Sequence, residues 1–211
     1  RLYKGSAPLK ETMAAALVML TNWHADKPLV DPFCGSGTIP IEAALIGQNI
    51  APGFNRSFAC ESWEMADKEL VERIRAEADE KADYDVELDI TGYDIDGKMV
   101  EIANKNAEEA GLAGIINFKQ QAVKDFKTEQ KNGVMIGNPP YGQRLSDQKA
   151  AREIYRQLGT VTKPLVTWSK YFITSDLDFE KYYGQSATKK RKLYNGALRT
   201  DYFQFWGKRE R

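Results

Sequence analysis

The residues with the clearest chemical potential form the run Asn138-Pro139-Pro140-Tyr141, which follows a short apolar segment. The side-chain oxygen of Asn138 and the backbone carbonyl of Pro139 can each accept one hydrogen from an amine, and the prolines keep the loop rigid. Because the lone pair of a nucleobase amine is delocalised into the ring, such acceptors must hold the nitrogen before it can attack a methyl group. Tyr141 adds an exposed ring on which an unpaired base can stack. The run therefore predicts chemistry on an exocyclic amine.

A second run, Asp31-Pro32-Phe33-Cys34-Gly35-Ser36-Gly37, predicts a ligand-binding turn that leaves a strand and enters a helix. Its two glycines let the backbone approach a ligand closely, and the helix start offers free N–H groups to a carboxylate or a phosphate. The run lacks the Gly-Lys-Ser/Thr of a nucleotide P-loop, and Ile39-Pro40 stand where a dinucleotide-binding turn has its third glycine. We expect Asp31 to face the cleft, where it suits a cationic ligand such as an amino acid ammonium.

A third run, Thr91-Gly92-Tyr93-Asp94-Ile95-Asp96, carries two acidic residues with different predicted roles. Asp94 lies where the dinucleotide-binding fold has its ribose-binding acid, and its carboxylate can accept hydrogen bonds from two vicinal hydroxyls. Asp96 directly precedes a helical segment, so we expect it to cap that helix.

The hydrophobic period and the turn residues predict alternating strands and helices. Helices are expected at residues 9–23, 38–46, 63–82, 97–110 and 148–162. Strands are expected at residues 27–30, 87–93, 115–119, 133–136 and 171–174, followed by a closing antiparallel pair at 191–194 and 201–206. Such alternation predicts an α/β fold with a mostly parallel, doubly wound sheet and helices on both faces. The three runs then share the carboxyl edge of the sheet, which favours a ligand site over an ordinary Asn-Pro-Pro turn.

Composition fits one soluble globular domain, because 42% of the 211 residues are hydrophobic and 28% are charged. The longest apolar run, residues 14–20, is too short to cross a bilayer. Cys34 and Cys60 do not form a Cys-x-x-Cys pair, which argues against a disulfide framework or a cysteine zinc site and favours the reducing cytoplasm. We therefore expect no metal and no membrane.

Charge is balanced overall but distributed unevenly. Residues 61–109 hold 17 acidic and six basic side chains, whereas residues 186–211 hold eight basic and two acidic ones. We interpret the acidic stretch as a solvated helix face. In the basic tail, the candidates for phosphate contact are Lys189, Lys190, Arg191, Lys192 and Arg199, although the same residues could form a solvated turn. The tail's aromatic residues fit strand core better than base-stacking platforms.

At the first and second runs the chain resembles the class I S-adenosylmethionine-dependent methyltransferases, with Asp31 to Gly37 as the cofactor loop and Asn138 to Tyr141 as the amino-methylation motif. Further runs are similar to the catalytic domain of the THUMP-linked methyltransferases that modify guanine N2 in large-subunit ribosomal RNA. These are residues 1–5, Ala7-Pro8-Leu9-Lys10-Glu11-Thr12, Ile50-Ala51-Pro52-Gly53, Gly92-Tyr93-Asp94-Ile95-Asp96 and Leu193-Tyr194-Asn195-Gly196-Ala197-Leu198.

The resemblance implies a Rossmann-like, seven-stranded sheet with an antiparallel last strand, and S-adenosylmethionine as cofactor. It implies that Thr12 approaches the methionine end and that the turn Gln121-Ala122 contacts adenine. We also expect Ile95, next to Asp94, to be among the cofactor-binding residues. Members of the family normally carry an RNA-binding THUMP domain before this one. We therefore expect residues 1–211 to be the catalytic domain alone, a fragment whose THUMP domain is absent, with ribosomal RNA as partner.

Several alternatives stay open. The Asn-Pro-Pro-Tyr motif also serves adenine N6 methylases and some protein glutamine methylases, and a catalytically silent cofactor-binding or RNA-scaffolding module would share the same fold. A nicotinamide oxidoreductase is disfavoured by the missing third glycine. His24 is the only histidine, which disfavours a catalytic triad and a histidine metal cluster. Pyrimidine C5 methylation needs a cysteine nucleophile that the motif loop lacks.

Overall fold

The computed structural model of the chain describes residues 9–141 and 145–208, with the side chains of Leu145 and Ser146 left aside. Two parts of the predicted motifs lie outside the described residues. They are residues 1–8, which belong to the runs shared with the THUMP-linked family, and Gly142, which follows the Asn-Pro-Pro-Tyr run. Within them the strands are β1 (Leu29–Asp31), β2 (Ile90–Asp94), β3 (Asn117–Gln120), β4 (Val134–Gly137), β5 (Ser169–Thr174), β6 (Lys189–Asn195) and β7 (Leu198–Phe205).

The strands form one seven-stranded sheet in the order β3-β2-β1-β4-β5-β7-β6. Strands β1 to β5 pair in parallel, while β7 is antiparallel to both β5 and β6. The predicted fold class is thus confirmed. Because strand order reverses at β1, which pairs with β2 on one side and β4 on the other, the sheet has its topological switch point there, where such sheets bind ligands.

Six α-helices are described: α1 (Glu11–Met19), α2 (Thr38–Gly47), α3 (Lys68–Glu80), α4 (Gly97–Glu109), α5 (Leu145–Thr162) and α6 (Phe179–Tyr183). Short 3₁₀ turns occur at Ala59–Ser62 and Val123–Asp125. Buried residues of α1, α2 and α4 pack on one face of the sheet, and those of α5 and α6 pack on the other. Covering both faces explains why every residue of β1, β4 and β5 is buried.

Some helices begin or end at residues other than those predicted, because a capping side chain or a turn sets the boundary. α3 begins at Lys68 rather than at residue 63, because the Asp67 side chain accepts a hydrogen bond from Leu70 N at 3.0 Å. α1 ends at Met19 instead of residue 23. α6 was not predicted, since its five residues are too few to show a helical period. No residue of α3 is buried, which agrees with the solvated acidic face expected from its charges.

The basic tail also differs in detail, because β6 begins at Lys189 and contains four of the five predicted RNA-binding residues. The aromatic residues of β7 are core, as predicted, with Tyr202, Phe203 and Phe205 almost fully buried. The same prediction was wrong about Trp206, which follows the end of β7 and is 56% exposed. Among the described helices, none is both long and apolar enough to span a bilayer.

Tyr202 ties the last strand to the first helix, since its buried hydroxyl donates to the Leu17 carbonyl at 3.0 Å. Tyr202→Phe should lower the free energy of unfolding by about 1–3 kcal/mol, because the carbonyl loses its buried donor. Tyr84→Phe is the matched control: its hydroxyl bonds to Asp79 at the surface, and we expect a change below about 0.5 kcal/mol. Urea unfolding followed by circular dichroism measures both, and equal losses would contradict the assignment.

Candidate active site

A cleft of about 340 Å³ opens at the carboxyl edge of the sheet, beside β1, β2 and β4. Eight of the residues predicted from the sequence line it: Pro32, Phe33, Asp94, Ile95, Gln121, Ala122, Asn138 and Pro140. Val123, Ile154 and Gln157 complete the lining and were not predicted. The three sequence runs therefore meet in one place, as their positions at strand ends required.

The turn after β1 owes its shape to Gly35 and Gly37, which have φ angles of +53° and +83°. A Cβ on Gly37 would also lie 3.0 Å from Phe118 Cζ and 3.1 Å from Ala103 Cβ, so a larger residue would strain the backbone and displace these neighbours. Asn106 Nδ2 of α4 donates to the Ser36 carbonyl at 2.8 Å. Contacts with α4 and with Phe118 therefore hold the turn in place without a ligand.

Asp94 connects the loops after β1 and β2. One carboxylate oxygen accepts from Gly35 N at 3.0 Å and the other from Asp96 N at 2.9 Å. Each oxygen retains acceptor capacity, because a carboxylate oxygen has two lone pairs. Asp96 caps α4 by accepting from Lys98 N at 2.9 Å, in agreement with the predicted division of roles. The geometry therefore leaves Asp94, rather than Asp96, available to hydroxyl groups in the cleft.

Asp31 does not face the cleft as predicted. It is only 1% exposed, and its Oδ1 accepts from Phe33 N at 2.9 Å, which holds the carboxyl group beneath the loop. Burial raises the pKa of Asp31 from 3.8 to about 8, with a smaller contribution from the nearby charge of Asp94. Cys34, next in the loop, is buried too, and burial raises the pKa of its thiol, so it is a packing residue rather than a nucleophile.

The Asn138-Pro139-Pro140-Tyr141 loop follows β4 and is held from two sides. The buried hydroxyl of Tyr155, on α5, donates to the Pro140 carbonyl at 2.9 Å and lies 3.1 Å from Thr174 Oγ1 at the end of β5. Asn138 differs from its surroundings, because its Oδ1 is buried and has no hydrogen-bond partner among the described residues. A buried acceptor without a donor costs about 1–3 kcal/mol, so it is expected where a ligand supplies the donor.

Tyr141 is half-buried rather than exposed as predicted. Burial raises the pKa of Tyr141 above its usual value of 10.0, and the side-chain amides of Asn195 and Asn138, acting as donors to its oxygen, oppose that rise. Asn195 lies in β6 within the run Leu193 to Leu198 that the family resemblance marked, although no role was predicted for it. Tyr155 gave no sequence signal, because an isolated buried tyrosine on a helix looks like any core residue.

Two groups of predicted residues lie outside this cleft. Thr12 is exposed in the first turn of α1 and does not line the cleft. The five predicted RNA-binding residues lie on the β6–β7 hairpin at the far end of the sheet order. Two of them are paired with carboxylates, Lys190 with Glu180 at 2.7 Å and Arg199 with Asp201 at 3.4 Å. Within residues 9–141 and 145–208, no group of three or more histidine, cysteine, aspartate or glutamate side chains is placed to hold a metal ion.

Comparison with known proteins gives a consistent pattern. Residues 1–204 match the family described as UPF0020, RMKL-like methyltransferase domain. YpsC of Bacillus subtilis (strain 168), named as an RNA methyltransferase, is 59% identical over 208 residues, which make up 99% of this chain and 54% of that protein. A ribosomal RNA large subunit methyltransferase K/L of Shewanella baltica (strain OS195) is 40% identical over 200 residues, 92% of this chain and 28% of that protein.

Solved structures agree in fold. SMU.472, described as a methyltransferase and crystallised with SAH, has a TM-score of 0.95 and 57% identity, covering 100% of this chain and 56% of that one. A protein of Listeria monocytogenes str. 4b F2365 is described as a predicted N6-adenine-specific DNA methylase. It has a TM-score of 0.93 and 57% identity, and the match covers 99% of this chain and 54% of that one. The chain spans about half the length of YpsC and of these two proteins.

Because Asp31 is buried, the free energy of unfolding should depend on pH. Its folded pKa of about 8 lies above its ordinary 3.8, so the folded protein keeps a proton that the unfolded chain loses between these values. The stabilisation is complete below about pH 4 and lost as the pH rises through 8, with a slope of up to about 1.4 kcal/mol per pH unit. Asp31→Asn should flatten this slope in urea unfolding between pH 5 and 9. Glu153→Gln, at an exposed carboxylate, should keep it; an unchanged slope in Asp31→Asn would exclude the proposed burial effect.

Proposed function

Because this chain belongs to the UPF0020 family of RMKL-like methyltransferase domains, we propose that it transfers a methyl group from S-adenosylmethionine to an exocyclic nucleobase amine, namely N2 of guanine in large-subunit ribosomal RNA. The observation that carries the proposal is Asn138 Oδ1, a buried acceptor of a residue that lines the cleft, which has no donor among the described residues. An amine hydrogen from the target base is the donor that this atom lacks.

The cleft fits S-adenosylmethionine in its donor set. Asp94 offers two carboxylate oxygens that are already oriented by Gly35 N and Asp96 N, an arrangement suited to the two ribose hydroxyls. Ile95 and Ala122, which line the cleft, offer apolar surface for an adenine ring, and Gln121 offers an amide for its polar edge. Gln121 N donates to the Asp94 carbonyl at 2.9 Å, which fixes the proposed adenine-binding turn relative to the proposed ribose-binding aspartate.

When bound, S-adenosylmethionine supplies an electrophilic methyl group on a sulfonium. The chain's own residues hold the nucleophile. Asn138 Oδ1 and the Pro139 carbonyl accept the two amine hydrogens, which draws the nitrogen lone pair out of the ring and directs it at the cleft. Neither acceptor takes the proton, so it leaves to solvent once the product amine becomes acidic. Tyr155 fixes the loop through the Pro140 carbonyl, and preorganisation of this kind removes the ordering cost from the reaction.

We propose that RNA approaches along β6. The strand carries Lys189, Arg191 and Lys192, and it leads to Asn195, which hydrogen-bonds to Tyr141 in the motif loop. Tyr194 is 55% exposed beside this path, with the Lys192 ammonium 5.6 Å from its ring centroid. Positive charge and an exposed ring on one strand fit phosphates and an unpaired base. The names of YpsC and of methyltransferase K/L support RNA, and specifically ribosomal RNA, as substrate.

Adenine N6 is the second candidate target, because the Listeria protein is described as a predicted N6-adenine-specific DNA methylase and the same loop could hold that amine. The two targets differ in product, so nucleoside mass spectrometry of the methylated RNA distinguishes N2-methylguanosine from N6-methyladenosine. Guanine is preferred here on the ribosomal relatives.

Asp94→Ala should weaken binding of S-adenosylhomocysteine by about 10- to 100-fold, because hydrogen bonds to a charged group contribute about 1.5–3 kcal/mol. Isothermal titration calorimetry measures this directly. Asp67→Ala removes an aspartate that caps α3 and does not line the cleft, and it should leave the affinity unchanged. Equal affinity in the Asp94 variant and the wild type would refute the ribose assignment.

Asn138→Ala should reduce methyl transfer by about 100- to 1,000-fold, the usual cost of removing one preorganised acceptor or donor from a reacting centre. Affinity for S-adenosylhomocysteine should stay within threefold, because the amide meets the base rather than the cofactor. Single-turnover transfer to ribosomal RNA lacking the modification is the assay, with Asn104→Ala, at an exposed position in α4, as control. A loss confined to cofactor affinity would contradict the proposed role.

A further inference from the structure

The lining of the cleft divides into apolar and hydrogen-bonding side chains. Seven of its eleven residues are apolar, namely Pro32, Phe33, Ile95, Ala122, Val123, Pro140 and Ile154. The other four are Asp94, Gln121, Asn138 and Gln157. The proposed function uses Asp94 for the ribose, Asn138 for the target amine and Gln121 for the adenine edge. Among the described residues that line the cleft, Gln157 is therefore the polar one that has no role.

Gln157 reaches the cleft from α5, which packs on the face of the sheet opposite α2 and α4. It lies three residues after Ile154, so both side chains project from the same face of the helix. This face is directed at the turn after β3, because α5 packs against the 3₁₀ turn Val123–Asp125 and Val123 lines the cleft together with Ile154 and Gln157. Gln157 therefore approaches the Gln121-Ala122 turn from the helix side.

The backbone position of Gln157 is set without a ligand. Tyr155, two residues earlier, donates to the Pro140 carbonyl at 2.9 Å. Leu158, the next residue, is buried in the same apolar cluster as Val123. The half-buried amide of Gln157 makes no hydrogen bond to another described residue, so it is available to a ligand in the cleft.

The order of groups along the cofactor decides which part of the adenine meets Gln157. Gln121 begins beside the ribose-binding position, since its backbone N donates to the Asp94 carbonyl at 2.9 Å. α5 packs further along the chain, against the turn that begins at Val123. In S-adenosylmethionine the exocyclic amine is the part of the adenine most distant from the ribose. That amine is therefore directed at α5, where Gln157 offers a carbonyl oxygen.

We propose that Gln157 Oε1 accepts a hydrogen bond from the exocyclic amine of the cofactor's adenine, which makes Gln157 a specificity-determining residue for the cofactor. The inference rests on the proposed function, which places S-adenosylmethionine in this cleft, and goes beyond it, because the family resemblance assigned no role to α5. Val123 and Ile154, the apolar residues on the same side, give this hydrogen bond a surrounding of low polarity, in which it is stronger than in water.

The two ends of an amide provide a test of this contact. S-inosylhomocysteine differs from S-adenosylhomocysteine in carrying a carbonyl oxygen in place of the amine and a hydrogen on N1. The wild-type amide can turn its Nε2 toward that oxygen, whereas an ionised carboxylate can only accept. Gln157→Glu should therefore retain S-adenosylhomocysteine and repel S-inosylhomocysteine. Isothermal titration calorimetry should show that the ratio of the two affinities rises at least about tenfold over the wild type, because a hydrogen bond is replaced by two opposed acceptors.

Gln157→Leu removes the acceptor at similar volume and should weaken S-adenosylhomocysteine binding by about three- to tenfold, the effect of one hydrogen bond between neutral groups. Gln148→Glu and Gln148→Leu are the matched controls, because Gln148 lies on the same helix and does not line the cleft. Both should keep the wild-type affinities. Gln121→Glu tests the competing assignment and should change the ratio less than Gln157→Glu does. Thermal unfolding confirms that each variant folds.

An unchanged ratio in Gln157→Glu, an equal loss of both ligands in that variant, or a larger change in Gln121→Glu would overturn the inference. None of these results affects the proposed function, since the wild type would still bind S-adenosylhomocysteine. Absence of that binding in the wild type would overturn both, whereas methylation of RNA by Asn138→Ala would overturn the proposed function alone. A tenfold higher ratio in Gln157→Glu, with both Gln148 variants unchanged, would support Gln157 as the residue that recognises the adenine amine.

Discussion

The whole site depends on the register of β1, a strand of only three residues that pairs on both edges. Leu29 lies opposite Ile90 of β2 on one side and Val134 of β4 on the other, so the ends of these strands are fixed relative to each other. A slip by one residue would exchange the faces of a strand and move Asp31 out of the interior. This register requires a small residue at the end of β4, because a Cβ on Gly137 would lie 3.2 Å from Phe33 Cδ2 and 3.3 Å from Asp31 Oδ1.

Polar groups around the cleft show what the fold completes by itself and what it leaves to ligands. Backbone amides already occupy one position on each Asp94 oxygen, and Tyr155 satisfies the Pro140 carbonyl. Asn138 Oδ1 is the exception at the cleft among the described residues. Because the loops are fixed by bonds that do not involve a ligand, the geometry at Asn138 exists before binding. Such preorganisation places the cost of ordering on folding rather than on the reaction.

Residue type and position predicted the sheet class and five of the eleven residues that line the cleft, because strand ends in a doubly wound sheet must converge, while Ile95, Gln121 and Ala122 were expected from the family resemblance. The same reasoning was wrong about Asp31 and Tyr141, whose exposure depends on how the loops fold back rather than on their position in the chain. The Phe33 amide turns Asp31 inward, and Asn195, from a strand 54 residues later, reaches Tyr141. Tyr155 and α6 could not be predicted, since long-range packing alone gives them their place.

Electrostatics then restricts how a nucleic acid can use this edge of the sheet. Asp94 lines the cleft, Asp176 and Asp178 follow the end of β5, and α3 adds a solvated acidic surface elsewhere. A phosphate chain is repelled from such a region, whereas a neutral base is not. The cations of β6 run from Lys189 to Lys192, and Lys192 is level with Asp201 of β7 and so with Thr174 at the end of β5. In the RNA path proposed along β6, the backbone stays on that strand while one base is unstacked and turned inward, which brings an amine to Asn138 and keeps the phosphates away from the carboxylates.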